Sequence, residues 1–301
     1  MNGSRTTLPV LLQCEGLGDC LCAVPILRKI RRTQPDFGEL VLFTHHPELF
    51  VRCPYVDRVL DIMDGEERKR YDKVLALFDP SSQLKYPLMD TIDYMSIPIG
   101  MGQLSFREKQ LEYFPAEPDN AQRFDVVLNT SMTWPSRNWP VELWQRLADA
   151  LSSQGYAVAV VGKDVHSSTD NMRKTSPGLA GCVDLTNRLS LDQTYFTIAK
   201  AGLFVTCQNG LSVLSGATDT EVMVLDRSIE WSKYALYRRE DPHYRFSLVK
   251  GNCDLYCCAS HACAVYGEFR CIPGFDQVWA AVSAKLSRGD HGQDASRTRQ
   301  A

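Results

Sequence analysis

Apolar residues in this chain come as short unbroken runs followed by stretches at helical spacing. That is the pattern of strands buried in a parallel sheet and the helices that cover it. The first run is Val10-Leu11-Leu12-Gln13-Cys14, which ends in a glycine-containing turn. Residues 20–32 then place Leu21, Val24, Ile26, Leu27 and Ile30 on the buried side of a helix. Residues 40–43, 57–62 and 73–78 predict further short strands, with a charged, solvated loop at 64–70. Residues 80–118, which include Pro87, Pro98, Pro115 and Pro118, predict short helices and a linker, with an amphipathic fragment at 88–97. The polar stretch 116–123 fits a domain boundary. The alternation then restarts, with strands at 124–128, 157–161, 183–185, 203–206 and 221–225. Helices fall at 141–154, closed by Gly155, and at 191–199 and 211–217. Two such series predict an α/β fold of two Rossmann-like domains, their parallel sheets facing across a cleft. The expected division is 1–120, 121–274, a terminal helix at 275–287 and a disordered polar tail at 288–301.

Composition adds limits. The chain has 301 residues, 44% hydrophobic and 23% charged, enough to build two cores. A net charge of −3 gives no global field that would draw it to nucleic acid or anionic lipid. The first residues lack the layout of a signal peptide, and no apolar run approaches the ~20 residues that span a bilayer. The expectation is a cytoplasmic protein with no transmembrane segment.

Of eleven cysteines, Cys14, Cys20, Cys22, Cys53, Cys182 and Cys207 are scattered and read mostly as small core residues. The other five crowd between Cys253 and Cys271. In a reducing compartment such a cluster means metal or free thiols more often than disulfides. A structural zinc or iron held by Cys253, Cys257, Cys263 and Cys271 is the candidate, with Cys258 as the alternative to Cys257. The cluster has no C-x-x-C pair, so its spacing is looser than that of a zinc ribbon.

Three loops carry the chemistry, each at a strand end. Glu15-Gly16-Leu17-Gly18-Asp19 lets the backbone turn tightly and approach a ligand, with Asp19 either a helix N-cap or a reactive carboxylate. The third glycine of a dinucleotide fingerprint is missing, Leu21 standing there, which argues against an NAD-type enzyme. The segment from Asn129 to Pro140 offers the hydroxyls of Thr130, Ser131 and Thr133 and the charge of Arg137 to phosphate oxygens, while Trp139 and Pro140 read as structural. Thr206-Cys207-Gln208-Asn209-Gly210-Leu211-Ser212 opens a helix, whose amino end favours a diphosphate. Gly162-Lys163-Asp164 forms the turn after another strand of the same series.

Taken together these motifs resemble glycosyltransferase family 9, the ADP-heptose heptosyltransferases and their relatives. The resemblance covers most of residues 8–286 in order. It rests on Gly16-Leu17-Gly18-Asp19 followed by Ala23-Val24-Pro25-Ile26-Leu27-Arg28, and on Cys53-Pro54-Tyr55-Val56-Asp57. It continues through Arg137-Asn138-Trp139-Pro140 and Asp184-Leu185-Thr186 to Ser190-Leu191, and the family too has a cysteine-bearing segment before its last helix.

The resemblance implies a GT-B fold and an inverting transfer of sugar from a nucleotide-diphosphate sugar, ADP-heptose among the candidates, with no cofactor for catalysis. It makes residues 1–120 the acceptor side, with Asp19 as general base, and residues 121–274 the donor side. Gly18, Thr130, Ser131, Thr133, Arg137, Gly162, Lys163, Gln208, Asn209, Gly210 and Leu211 are the expected donor contacts, Arg137 standing where the family has a lysine. Gln208 replaces the family's usual acid, and Val213 falls where a histidine would be. The acceptor class stays open among lipid-linked saccharide, protein and modified nucleic acid, and a homo-oligomer is allowed. The rival is a sugar-nucleotide binding or assembly protein without turnover.

Overall fold

The computed structural model describes residues 7–34, 38–77, 89–97, 99–132, 137–166, 173–226, 246–254, 263, 266 and 269–297. They fall into two compact units, the first up to Pro118 and the second from Asp119.

In the first unit β1 (Thr7–Leu12), β2 (Glu39–Thr44), β3 (Arg58–Asp61) and β4 (Leu75–Ala76) form a parallel sheet in the order β3-β2-β1-β4. Val10, Leu12, Leu40, Val41, Leu42 and Phe43 are buried almost completely, as continuous apolar runs in a covered sheet require. The single helix expected over 20–32 is two, α1 (Leu17–Cys22) and α2 (Val24–Thr33). Pro25 lies in the first turn of α2, has no N–H to donate and would crowd the carbonyl of Leu21, so the helix breaks at Ala23. The charged loop at 64–70 contains one helical turn, α3 (Gly65–Arg68), whose Glu67 N–H is capped by Asp64. Beyond it, α4 (Thr91–Ser96) is capped by Asp90. The irregular stretch that follows is fastened by buried polar links. Lys109 Nζ meets Asp93 Oδ2 at 2.6 Å, and Arg28 on α2 donates to Glu112 Oε2 at 2.6 Å and to the Glu108 carbonyl at 2.5 Å.

The second unit is a six-stranded parallel sheet in the order β12-β11-β10-β5-β6-β9. Its strands are β5 (Val126–Asn129), β6 (Val158–Val161), β9 (Val183–Asp184), β10 (Leu203–Cys207), β11 (Glu221–Asp226) and β12 (Phe246–Lys250). A small antiparallel pair, β7 (Val165–His166) and β8 (Arg173–Lys174), stands apart from it. The helices are α5 (Val141–Ser153), α6 (Leu191–Ala199), α7 (Gly210–Ser215) and α8 (Phe275–Arg297). Trp139, Trp144, Leu147, Leu151, Val278 and Val282 pack with the sheet residues into one core. The tail expected to be disordered from 288 is helical to Arg297. No proline stops α8, and its polar end carries no apolar stripe that sequence periodicity could register.

Both sheets change winding direction once. In the first, β2 and β3 lie on one side of β1 and β4 on the other. In the second, β6 and β9 lie on one side of β5, and β10, β11 and β12 on the other. Open α/β sheets bind ligands beyond the strand carboxyl ends at such a reversal. The loops after β1, β5 and β10 are the three that the sequence marks.

Candidate active site

In the first unit Gly16, not Asp19, is the N-cap of α1, and Asp19 lies in the first turn. The Asp19 carboxylate folds back over Gly16: a Cβ built there would lie 2.5 Å from Asp19 Oδ2, so only glycine leaves room. Gly18 is buried, and Asp19 is half-buried. The thiols of Cys14 and Cys22 are close enough to feel its charge. Burial pushes the Cys14 and Cys22 thiols well up, and the nearby Asp19 charge adds to the rise. Cys14 Sγ and Cys20 Sγ are 3.3 Å apart. The ring of His46, just past β2, reaches the Glu15 carbonyl oxygen at 2.8 Å, a contact that no local motif announces.

In the second unit a side-chain network joins the ends of β5 and β10. Asn129, fully buried, accepts from Ser131 N–H at 3.0 Å. Its amide donates to Thr206 Oγ1 at 2.9 Å and to Asn209 Oδ1 at 3.0 Å. Asn209 Oδ1 also accepts the N–H groups of Leu211 and Ser212. Asn209 thus already accepts two of the N–H groups at the amino end of α7, that of Leu211 among them. The buried Nδ2 of Asn209 instead has no acceptor among the described residues. Gln208 is buried beside it, and Gly210 opens α7.

Thr130 is buried and its hydroxyl donates to the Pro177 carbonyl at 2.6 Å, which braces the loop. Ser131 Oγ meets Ser176 Oγ at 3.0 Å. Arg137 is half-buried and Lys163 exposed, and Thr133 lies outside the described residues. Gly162 has φ +152°, and its carbonyl accepts Asn187 N–H at 2.8 Å. Asp164 Oδ1 accepts Ser176 N–H at 2.8 Å, and Asn187 Oδ1 accepts Asp164 N–H at 2.6 Å. Ser176 and Asn187 thus belong to this corner, although neither is among the expected donor contacts. Asn187 carries the one signal available, a residue type tolerant of the left-handed conformation it adopts at φ 60°. A Cβ on Gly162 would lie 2.6 Å from Ser131 Oγ and 2.7 Å from Ser176 Cβ. Gly162→Ala is therefore expected to cost about 1–3 kcal/mol by overpacking, read as a lower denaturation midpoint; an unchanged midpoint would contradict the close packing of this corner.

Cys253 and Cys263 are half-buried and Cys271 is buried, while Cys257 and Cys258 lie outside the described residues. Among the described residues no three His, Cys, Asp or Glu side chains gather as a metal set, so Cys253, Cys263 and Cys271 do not form one by themselves. A depression of about 330 Å³ in the second unit, lined by Phe124, Leu185, Arg188 and Gln193 among others, contains none of the expected site residues. Among the described residues no helix is long and apolar enough to cross a membrane.

Comparison with known proteins gives the architecture relatives. A glycosyltransferase family 9 protein from Veillonella parvula DSM 2008 superposes with a TM-score of 0.68 at 12% identity, over 96% of this chain and 99% of that one. The iron-containing dodecameric glycosyltransferase TibC from enterotoxigenic E. coli H10407 gives 0.67 at 18%, over 95% and 78%. E. coli heptosyltransferase WaaC with ADP gives 0.55 at 14%, over 92% and 100%. At these identities the likeness is one of fold, the GT-B class of two Rossmann-like units. No curated protein matches the sequence. The family model described as glycosyltransferase family 9 (heptosyltransferase) matches residues 70–243, over half of the chain and both marked loops of the second unit, and by that match the chain belongs to glycosyltransferase family 9.

Proposed function

We propose that this glycosyltransferase inverts the anomeric centre of a nucleotide-diphosphate sugar, with Asp19 as general base and the second unit as donor site. The observation that carries the proposal is placement. The Asp19 carboxylate and the Asn129–Thr206–Asn209 network each stand beyond strand carboxyl ends at the winding reversal of a sheet. In the proposed step Asp19 takes the acceptor hydroxyl proton as that oxygen attacks the anomeric carbon. The bond to the diphosphate breaks on the opposite face, and the diphosphate leaves with the electron pair. Arg137 neutralises the charge that builds there, and Asn209 Nδ2, buried without an acceptor, offers a donor to it. ADP-heptose is the first donor to test, because TibC and WaaC have been crystallised with ADP-heptose or its analogue. Gln208, neutral where the family has an acid, is the reason to test others beside it.

Thermal-shift screening against ADP-, UDP-, GDP- and CMP-sugars, followed by donor turnover, tests the reading; no shift with any of them would refute it. Arg137→Ala should weaken the donor that binds by about 10- to 100-fold, the worth of one charge-assisted contact. Isothermal titration measures this, and an unchanged Kd together with an unchanged kcat would remove Arg137 from the site.

The proposal includes a structural zinc or iron, for which Cys257 or Cys258 would have to complete a set that Cys253, Cys263 and Cys271 do not make alone. Metal analysis of the purified protein decides it, since metal-free protein with fully titratable thiols rules the ion out. A homo-oligomer, as TibC is, belongs to the same reading and is measured by light scattering.

A further inference from the structure

We infer that His46 is a positioning residue for the loop that carries Asp19, held as an imidazolium between the Glu48 carboxylate and the Glu15 carbonyl. Its catalytic consequence rests on Asp19 being the base, whereas its consequence for the loop does not. The topology brings the partners together. β1 and β2 are parallel neighbours with Leu12 beside Thr44, so the segments leading to Glu15 and His46 leave the same sheet end side by side. Thr44 is fully buried, and its Oγ1 accepts His46 N–H at 3.2 Å, which turns the chain there.

Both ring nitrogens are then engaged. Nδ1 is 2.9 Å from Glu48 Oε1, and Nε2 is 2.8 Å from the Glu15 carbonyl oxygen. A carbonyl and an ionised carboxylate accept and do not donate, so the ring must donate from both nitrogens, and only the imidazolium can. Either neutral tautomer would set a ring lone pair against an oxygen lone pair. The groups around the ring agree: Glu48 from the 3-10 turn Pro47–Leu49, the Glu15 carbonyl before α1, and the Cys20 thiol on α1. The Glu48 hydrogen bond, opposed by burial and helped by the Glu15 carbonyl, raises the His46 pKa from 6.5 to about 9. The raised value fixes the sign. The stability that the charged ring contributes is fully present below 6.5 and is lost as pH rises through about 9.

What the ring holds matters. Glu15 is followed by Gly16, whose carbonyl accepts Cys20 N–H at 3.0 Å to start α1, and over which the Asp19 carboxylate folds. Glu48 therefore sets the charge of His46, and His46 fixes the backbone from which Asp19 is aimed.

The test uses the full chain and three readouts across pH 6 to 10: the His46 imidazole by ¹⁵N NMR, amide-exchange protection over 16–20, and kcat for donor turnover. In the unaltered protein His46 should titrate near 9, and protection of the loop amides should fall roughly tenfold above that pH, the loss of one charge-assisted hydrogen bond. Glu48→Gln should move both events together toward neutral pH. His46→Gln, whose amide can still donate to the Glu15 carbonyl, should keep the loop protected and erase the pH dependence. Titration of His46 near 6.5, or loop protection indifferent to pH and to Glu48→Gln, would overturn the inference. Loop protection that follows His46 while kcat does not would leave the inference standing and refute Asp19 as the base.

Discussion

Replacing Asp19 by asparagine should lower transfer by about 10²- to 10⁴-fold, the usual contribution of a general base, and leave donor affinity within about twofold. Asparagine keeps the shape of the side chain over Gly16, so the space that glycine provides stays filled in the same way. What it removes is the ability to take a proton. The donor contacts proposed at Arg137 and Asn209 belong to the second unit and are untouched. Single-turnover kinetics with saturating donor, paired with calorimetric Kd values, separate the two effects. A kcat within about tenfold of the parent would remove Asp19 from the chemistry. A lost donor Kd with normal folding would make it a binding residue instead. The experiment is the more pointed because the family match begins at residue 70 and does not include this loop.

The parts of the fold that were legible are those written in consecutive residues. Buried parallel strands such as Leu40–Phe43 and Leu203–Val205 are unbroken apolar runs because both faces of their sheet are covered. The capping box of Ser190 and Gln193 announces α6 in its own sequence. β12 was missed because an edge strand needs only a partly buried face. Phe246, Ser247 and Leu248 are all half-buried, and their pattern is correspondingly weak. At the site the reactive types were visible and their partners were not. The His46–Glu15 contact joins residues 31 apart, and Asn129–Thr206 joins residues 77 apart. Only the strand order brings either pair together. At the amino end of α7 an Asn-Gly turn before a helix suggests open donors, and the same asparagine that marks the turn caps the helix and engages two of them, the N–H groups of Leu211 and Ser212.

Trp139→Ala should destabilise the second unit by about 3–5 kcal/mol, the cost of emptying a large aromatic site in a packed core. Trp139 is 1% exposed and meets Trp144 edge to face at 4.9 Å. Its Nε1 donates to the Pro273 carbonyl at 2.9 Å, linking the loop that holds Arg137 to the turn before α8. Alanine would leave a cavity against α5 and a buried carbonyl without its donor. Trp139→Phe separates the two losses, because it keeps most of the packing and forfeits only the hydrogen bond, for about 1–3 kcal/mol. Two units allow two unfolding transitions, so chemical denaturation should be followed by probes in each, and only the second-unit transition should move. Arg137→Ala supplies the contrast: it should weaken the donor with little change in that midpoint, whereas Trp139→Ala should lower both. If Trp139→Ala left the midpoint within about 1 kcal/mol, the tryptophan would not be a core anchor, and the placement of Arg137 would need another support. If the midpoint fell and donor affinity did not, the loop would be held for stability alone, and the phosphate role proposed for it would pass to the Asn129–Asn209 corner.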